Sequence, residues 1–320
     1  MSTRDTAVPA YADLVGGLTC PPGAAWGVFG NDLGTLNFAT AERVVAAATL
    51  VRRGVTIPLN WSTTLPSPPI LGRRAPTHHR VELDGGGFDD YYDSFYPQMS
   101  SQWDALSHVE HPEFGFYQGR PLADVLDPVF PALGIDQWAT RGIAGRFVLA
   151  DVEGFLAGQG TPLDAASAFA ITTDLLDDVL AAQDVALDTG DILLLNVGWI
   201  CWYEGLDESG RAALGTGDLF AAPGLDPREE TARWIWDHRL AAVAADCPAL
   251  ERMPFDKSSA DGFLHARLIP LLGLAVGELF DLRALTADCR TDGVYEGLFC
   301  AAPLNTPGGA GSTANALAIK

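Results

Sequence analysis

Four side chains with oxygen or nitrogen donors are gathered between positions 98 and 108 of this chain. They are Gln98, Gln102, Asp104 and His108. Even numbers of residues separate all four, so on a β-strand their side chains would lie on one face. On a helix, the two glutamines would share one face and the other two residues a different one. Either geometry collects donors for a metal ion or a proton transfer, although a polar turn near the surface would also explain the segment.

A second pair of donors lies much later in the chain, at His265 and Glu278. The glutamate interrupts the apolar stretch 268–280, and the histidine stands just before it. Because a buried charge is costly unless it is paired or bound to a metal, both residues are expected to have partners. The alternative is that His265 forms a local hydrogen bond and Glu278 faces water.

Spacing and end signals predict the elements that must position these residues. Thr40 can cap a helix that Gly54 ends, and Asp226 with Glu229 forms a capping-box-like start of another helix that continues to His238. The apolar run 192–197 is typical of a strand buried on both faces. The other predicted elements are helices over 174–183, 261–272 and 282–287 and strands over 55–61, 241–245 and 294–302. Strands and helices mixed without strict βαβ alternation predict an α/β fold with a mixed sheet and flanking helices.

Length and composition narrow the class of protein. The 320 residues, 48% of them hydrophobic, can bury a large core and are predicted to form a single domain, 1–320, with 1–25 as an N-terminal extension. Neither a targeting segment nor an apolar run of about 18 residues is found, so a cytoplasmic protein without a membrane partner is expected. A net charge of −21 argues against nucleic acid as a partner. The five scattered cysteines are expected to be free thiols.

The segment 98–108 resembles the signature of the cyclase family, the group that includes bacterial kynurenine formamidase and isatin hydrolase. That signature reads His-x-Gly-Thr-His-x-Asp-x-Pro-x-His. In this chain Gln98 and Gln102 stand at the two leading histidines, while Asp104 and His108 stand at the aspartate and the closing histidine. The later family pattern, a Leu-His segment followed by Gly and then Glu-x-x-x-Leu, is similar to 264–282. Other family-like segments lie at 26–30, 33–37, 190–199, 223–225, 245–246 and 301–312.

The resemblance implies a cyclase-family fold of the swivelling β/β/α type, a homodimer and a site for a divalent ion. The residues that it places at the ion are Asp104, His265 and Glu278, with Gln98 and Gln102 as ligands or as neighbours of the ligands. It implies that His108 donates and accepts the proton. A carboxamide oxygen is a harder and weaker ligand than imidazole, so zinc affinity is expected to fall and ions that prefer oxygen become better candidates. The expected cofactor is one ion, Mn or Zn, bound weakly or even absent.

These inferences predict a metal-assisted hydrolase of a small amide, lactam or ester. The metal would polarise the carbonyl and lower the pKa of its water, and a histidine titrating near neutrality would pass the proton to the leaving group. Candidate walls for an aromatic substrate are Trp26, Phe29, Trp103 and Trp199, although large aromatic side chains are more often buried for packing and each of the four is first of all a candidate core residue. His111 and the pair His78-His79 are expected to be surface or structural residues.

The sequence leaves three rival functions open. A cyclase, lyase or isomerase of specialised metabolism would use His108 with a weakly bound metal or none. A non-catalytic relative that binds a small molecule would have no need for the whole set of retained donors. A serine nucleophile at Ser101 or Ser107 would lack the Gly-x-Ser-x-Gly elbow that usually presents such a residue.

Overall fold

A nine-stranded mixed sheet forms the centre of the computed structural model, which describes residues 8–17, 20–217, 219–259 and 261–320. The strands of the chain are β1 Thr56–Pro58, β2 Thr77–Glu82, β3 Phe88–Asp93, β4 Gln102–Asp104, β5 Ile143–Asp151, β6 Ala170–Ile171, β7 Ile192–Asn196, β8 Gly224–Leu225, β9 Ala242–Ala245, β10 Ala275–Glu278, β11 Glu296–Ala301, β12 Gly311–Thr313 and β13 Ala316–Ile319. The large sheet has the order β1-β13-β11-β5-β7-β9-β10-β4-β12. Its four inner strands β5, β7, β9 and β10 run parallel, and the outer pairs are antiparallel. The predicted α/β class with a mixed sheet is confirmed.

Short helices flank the sheet. They are α1 Tyr11–Val15, α2 Ala41–Ala48, α3 Leu122–Val125, α4 Asp136–Arg141, α5 Val152–Gly158, α6 Thr173–Ala182, α7 Trp199–Gly205, α8 Glu208–Leu214, α9 Glu229–Asp237, α10 His265–Arg267 and α11 Arg283–Asp292. The apolar side chains of β7 and β9 are buried completely, as expected for parallel strands covered on both faces. These strands and the helices that cover them form one continuous core.

Three predicted helices differ from the structure at their ends. Helix α2 stops at Ala48 because the hydroxyl of Thr49 bonds back to a carbonyl one turn earlier, 2.7 Å away. Helix α9 begins only at Glu229, since the Asp226 carboxylate binds the Arg228 side chain at 2.6 Å and does not cap the helix. The predicted helix 261–272 is a single turn, α10, followed by a wider turn over 268–272.

The start of the described chain packs onto helix α9. The backbone N–H of Tyr11 donates to Asp237, and the indole of Trp236 donates to the carbonyl of Pro9. Residues 1–7, 18 and 19 of the predicted N-terminal extension lie outside the described residues. Among the residues that are described, no helix combines the length and the apolar character needed to cross a membrane.

Strands β2 and β3 form a hairpin that stands apart from the central sheet. Almost all of their side chains are exposed, including the aromatic rings of Phe88, Tyr91 and Tyr92. His78 and His79 lie here, each 2.7 to 2.9 Å from an aspartate of β3 and stacked on a tyrosine. The expectation that this pair lies at the surface is confirmed.

Candidate metal and proton-transfer site

The antiparallel pairing of β4 with β10 brings the two donor groups of the sequence together. Gln102 lies opposite Glu278 in the register, and Asp104 lies opposite Val276. Because side chains alternate along a strand, Gln102 and Asp104 point to the same side of the sheet. The strand face predicted for these two residues is therefore present, but it is only three residues long. Gln98 and His108 reach the same place from the turns before and after β4.

Three buried side chains form the centre of the site. Ligand atoms of Asp104, His265 and Glu278 all lie within 4.8 Å of one another. The Nε2 atom of His265 is 3.1 Å from a Glu278 oxygen and 3.8 Å from an Asp104 oxygen. Both oxygens of Asp104 are buried without a hydrogen-bond partner among the described residues. A fully buried carboxylate with two unsatisfied oxygens is expected to bind a cation.

The charges of this centre act strongly on one another. Burial raises the pKa of Glu278, and the negative charge of Asp104 raises it further. Asp104 is the more acidic member of the pair: burial opposes its charge, but His108 and His265 outweigh that effect and lower its pKa. A divalent cation between the two carboxylates would remove their repulsion and let both ionise. The donor set therefore fits an ion.

Glu251, which the sequence analysis missed, holds His265 in place. Its buried carboxylate accepts a hydrogen bond from His265 Nδ1 at 2.6 Å, from the His265 backbone N–H at 3.2 Å and from the backbone N–H of Leu264. This contact directs Nε2 of the imidazole towards Asp104 and Glu278. Burial opposes a charge on His265, but the nearby carboxylates of Asp104, Glu251 and Glu278 together raise its pKa well above the usual value.

The two glutamines occupy different positions. The Gln102 amide nitrogen donates to Glu278, and its carbonyl oxygen is buried without a hydrogen-bond partner among the described residues. The Gln98 side chain instead contacts the His108 ring, with 2.9 Å between its Nε2 and His108 Nδ1. Gly311 of β12 makes room for Gln98, because a Cβ atom at position 311 would come within 2.8 Å of that side chain. Gln102 thus faces the centre, whereas Gln98 supports the histidine.

His108 lies between the buried centre and an open cavity. Its Nε2 atom is 3.6 Å from Asp104, and 27% of its side chain is exposed. Burial lowers the pKa of His108, and the nearby charge of Asp104 only partly offsets this effect. A histidine with a lowered pKa is largely neutral at pH 7 and can accept a proton.

A cavity of about 680 Å³ opens beside His108. Its walls come from the segment 108–113 and from residues 257–259, Phe263, Ala266 and Arg267. This volume suits a small organic molecule. His111, expected to be a surface or structural residue, lies in this wall, where its ring stacks on Phe114. The ring of Phe263 stacks on His265 with centroids 5.4 Å apart, so the cavity wall touches the buried centre.

The four aromatic residues predicted as substrate walls lie elsewhere among the described residues. Trp103 is completely buried, faces the opposite side of β4 from Asp104 and packs on Phe280. Trp199 is buried against Trp61 and Tyr203. Trp26 donates to the carbonyl of Pro270, and Phe29 packs on Phe38. These contacts belong to the core and its edge, and none of the four rings is among the residues that line the cavity beside His108.

Comparison with known proteins places this geometry in context. A family model described as a putative cyclase matches residues 45–252. The crystal structure of a novel cyclase superposes with a TM-score of 0.81 at 34% sequence identity, covering 93% of this chain and 99% of that chain. No curated protein matches the chain.

Two isatin hydrolases show the same fold at low identity. Isatin hydrolase A from Labrenzia aggregata, bound to benzyl benzoate, has a TM-score of 0.58 at 14% identity and covers 87% of this chain and 97% of its own. An isatin hydrolase bound to the product analogue thioisatinate has a TM-score of 0.56 at 15% identity, with 87% and 98% covered. At such identities the likeness is one of fold.

Proposed function

Because the chain belongs to the cyclase family, we propose that it is a metal-assisted hydrolase of a small amide, lactam or ester. One observation carries the proposal. Asp104 is fully buried with both carboxylate oxygens unsatisfied among the described residues, and His265 and Glu278 present their ligand atoms beside it. A site built in this way suits a divalent cation of Mn or Zn type.

The ligands that we assign to this ion are Asp104, His265, Glu278 and the carbonyl oxygen of Gln102. The Gln102 oxygen is included because it is buried and lacks a partner among the described residues. Gln98 is assigned a positioning role, because its amide is engaged by the His108 ring. When bound, the ion would supply Lewis-acid polarisation of the substrate carbonyl and of the attacking water.

His108 moves the proton in the proposed reaction. Its imidazole takes a proton from water while the water oxygen bonds to the carbonyl carbon. It then returns that proton to the leaving nitrogen or oxygen as the bond to carbon breaks. The products are a carboxylic acid and an amine or alcohol, joined in one molecule when the substrate is cyclic.

Gln98 can set which nitrogen of His108 performs this transfer. In the structure the amide nitrogen of Gln98 lies 2.9 Å from Nδ1 and 3.4 Å from the carbonyl oxygen of Ala310; after a half-turn of the amide its carbonyl oxygen would accept from Nδ1–H and leave the Nε2 lone pair free, which is the tautomer that a general base requires. With its N–H on Nδ1, the amide favours the other tautomer. Replacement of Gln98 by Leu is therefore expected to lower kcat more than it changes metal content.

We also propose that the enzyme is a homodimer that pairs through the β3 edge, which no strand of the described chain occupies. An isolated two-stranded hairpin is marginally stable, so a further strand is expected. Antiparallel pairing of β3 with its copy would set Phe88 opposite Asp93, Asp89 opposite Tyr92 and Asp90 opposite Tyr91, and would place no two aspartates face to face. Sedimentation of the Tyr91→Asp variant, with Tyr96→Asp as control, should show a monomer for the first variant only.

Metal content and chelator sensitivity test the main proposal. Elemental analysis of protein purified without added metal should find about one equivalent of Mn or Zn. Turnover of an aryl formamide or an isatin-like lactam should be lost on chelation and restored by adding the ion back. Metal-free protein without chelator-sensitive hydrolysis would instead favour a cyclase or lyase built around His108. The cytoplasmic location stays a prediction from the sequence.

A further inference from the structure

The cavity beside His108 carries a cation that no acidic side chain neutralises. Lys257 lines this cavity, and its ammonium group lies within 4.0 Å of no carboxylate among the described residues. Glu110 and Glu113 line the same cavity but form no ion pair with it. A cation in this position is available to a ligand.

Aromatic rings hold this lysine beside the buried centre. Its Nζ atom lies 4.9 Å from the centroid of Phe263 and 5.5 Å from that of Phe255. Phe263 in turn stacks on His265, so the ammonium group, the ring and the centre form one continuous wall. Such cation–π contacts restrain a flexible lysine without neutralising its charge.

The turn that carries Lys257 is ordered by its own hydrogen bonds. The carboxylate of Asp256 accepts from the backbone N–H of Ser258 at 2.9 Å and from its hydroxyl at 2.6 Å. Asp256 is therefore engaged within the turn and is not a partner of the neighbouring lysine. Ser258 and Ser259 line the cavity next to Lys257. The Ser258 hydroxyl is committed to Asp256, so the Ser259 hydroxyl is the one that can donate to an oxyanion beside the cation.

The geometry points to a small aromatic carboxylate as the substrate of this cavity, held at its carboxylate by Lys257 and at its ring by Phe263. This inference rests on the proposed hydrolase and names the class of substrate that it takes. Lys257 and His108 line the same cavity, so one small molecule can contact both. A bound carboxylate would neutralise the lysine while the amide of the same molecule lies at His108.

A matched pair of substrates tests this inference. The acid 2-formamidobenzoate and its neutral analogue 2-formamidobenzamide share the scissile formamide and differ only in the charged group. The wild-type enzyme should prefer the acid in kcat/KM. Lys257→Gln should reduce that preference about tenfold, the lower end of what a charged hydrogen bond contributes, by lowering kcat/KM for the acid far more than for the amide. Lys257→Arg should keep the preference, as should Arg74→Gln, which removes an exposed charge elsewhere.

Binding measurements separate this inference from the hydrolase proposal. Calorimetric titration with 2-aminobenzoate and 2-aminobenzamide requires no turnover, and it can be run on chelated protein. Tighter binding of the acid that is lost in Lys257→Gln would support the inference even if no formamide is hydrolysed. Equal affinity for the two compounds in the wild type, or an equal preference in Lys257→Gln, would overturn it even if hydrolysis is confirmed.

Discussion

Replacement of Glu251 by glutamine should weaken metal binding although Glu251 is not proposed to touch the ion. The carboxylate holds the Nδ1 side of His265 at 2.6 Å and so directs the other nitrogen towards Asp104 and Glu278. Glutamine has nearly the same shape and can still accept from Nδ1–H, but it removes the negative charge that makes the imidazole a stronger donor. The variant therefore removes the charge with little change of volume, although it also turns an amide NH2 towards the backbone N–H of Leu264, from which the carboxylate accepts in the wild type.

The expected loss of metal affinity follows from other metal sites in which a carboxylate holds a metal-binding histidine in place. Removal of a carboxylate behind a metal-binding histidine costs about 10- to 100-fold in metal affinity. At 1.36 kcal/mol for each factor of ten, that is about 1.4 to 2.7 kcal/mol. We expect the upper part of this range for Glu251→Gln, because Glu251 is almost completely buried and water cannot replace its charge.

Competition with a chromogenic chelator would measure the metal dissociation constant of the wild type and of Glu251→Gln. Glu208→Gln serves as the control, since Glu208 is exposed on helix α8, and circular dichroism would confirm that all three proteins are folded. A folded Glu251→Gln protein whose dissociation constant stays within threefold of the wild type would refute the assigned role of Glu251 and weaken the case for His265 as a ligand.

Three further predictions concern the site and the core. Asp104→Asn and Glu278→Gln should each abolish metal retention in elemental analysis, because each removes a charged donor from the buried centre. His108→Ala should abolish turnover while the metal stays bound; normal activity in that variant would contradict the proton-transfer role. Burial raises the pKa of Asp246 to about 7, so its folded carboxyl binds a proton more tightly than the unfolded one, and stability should fall as pH rises from about 4 to 7. Asp246→Asn should remove up to about 3 kcal/mol of that pH dependence between pH 5 and pH 8, as measured by urea unfolding at both pH values and compared with the wild type.

The predicted ligand set rests on the family signature. The structure shows how ligands that are far apart in the sequence come to lie beside one another. Asp104 and Glu278 are 174 positions apart in the sequence, yet the antiparallel pairing of β4 with β10 sets their strands side by side. No local pattern in either segment encodes that pairing. The apolar run that became β7 could be predicted from its residues alone, because burial on both faces leaves a continuous hydrophobic signal.

Two features of the site show where reasoning from the sequence falls short. Trp103 could have been set aside as a substrate wall, because the alternation that places Gln102 and Asp104 on one face of β4 places Trp103 on the other. Glu251 and Lys257 carried no such signal. Each lies in an irregular segment, and its role arises from contacts made in the folded chain, with His265 for the first and with Phe263 for the second.

The exchange of two histidines for glutamines changes the character of the site without changing its formal charge, because neutral imidazole and carboxamide both carry none. Asp104, Glu251 and Glu278, when ionised, leave three negative charges in the buried centre. A divalent ion would compensate two of these charges, and Arg73 supplies a third positive charge. One nitrogen of Arg73 is buried without a hydrogen-bond partner among the described residues. The charge of Arg73 acts on Asp104, Glu278 and His108. A formally neutral centre can form with any divalent ion, so the choice between ions falls to the donor atoms. If Gln102 contributes its oxygen as proposed, in place of an imidazole nitrogen, we expect that choice to shift from zinc towards manganese.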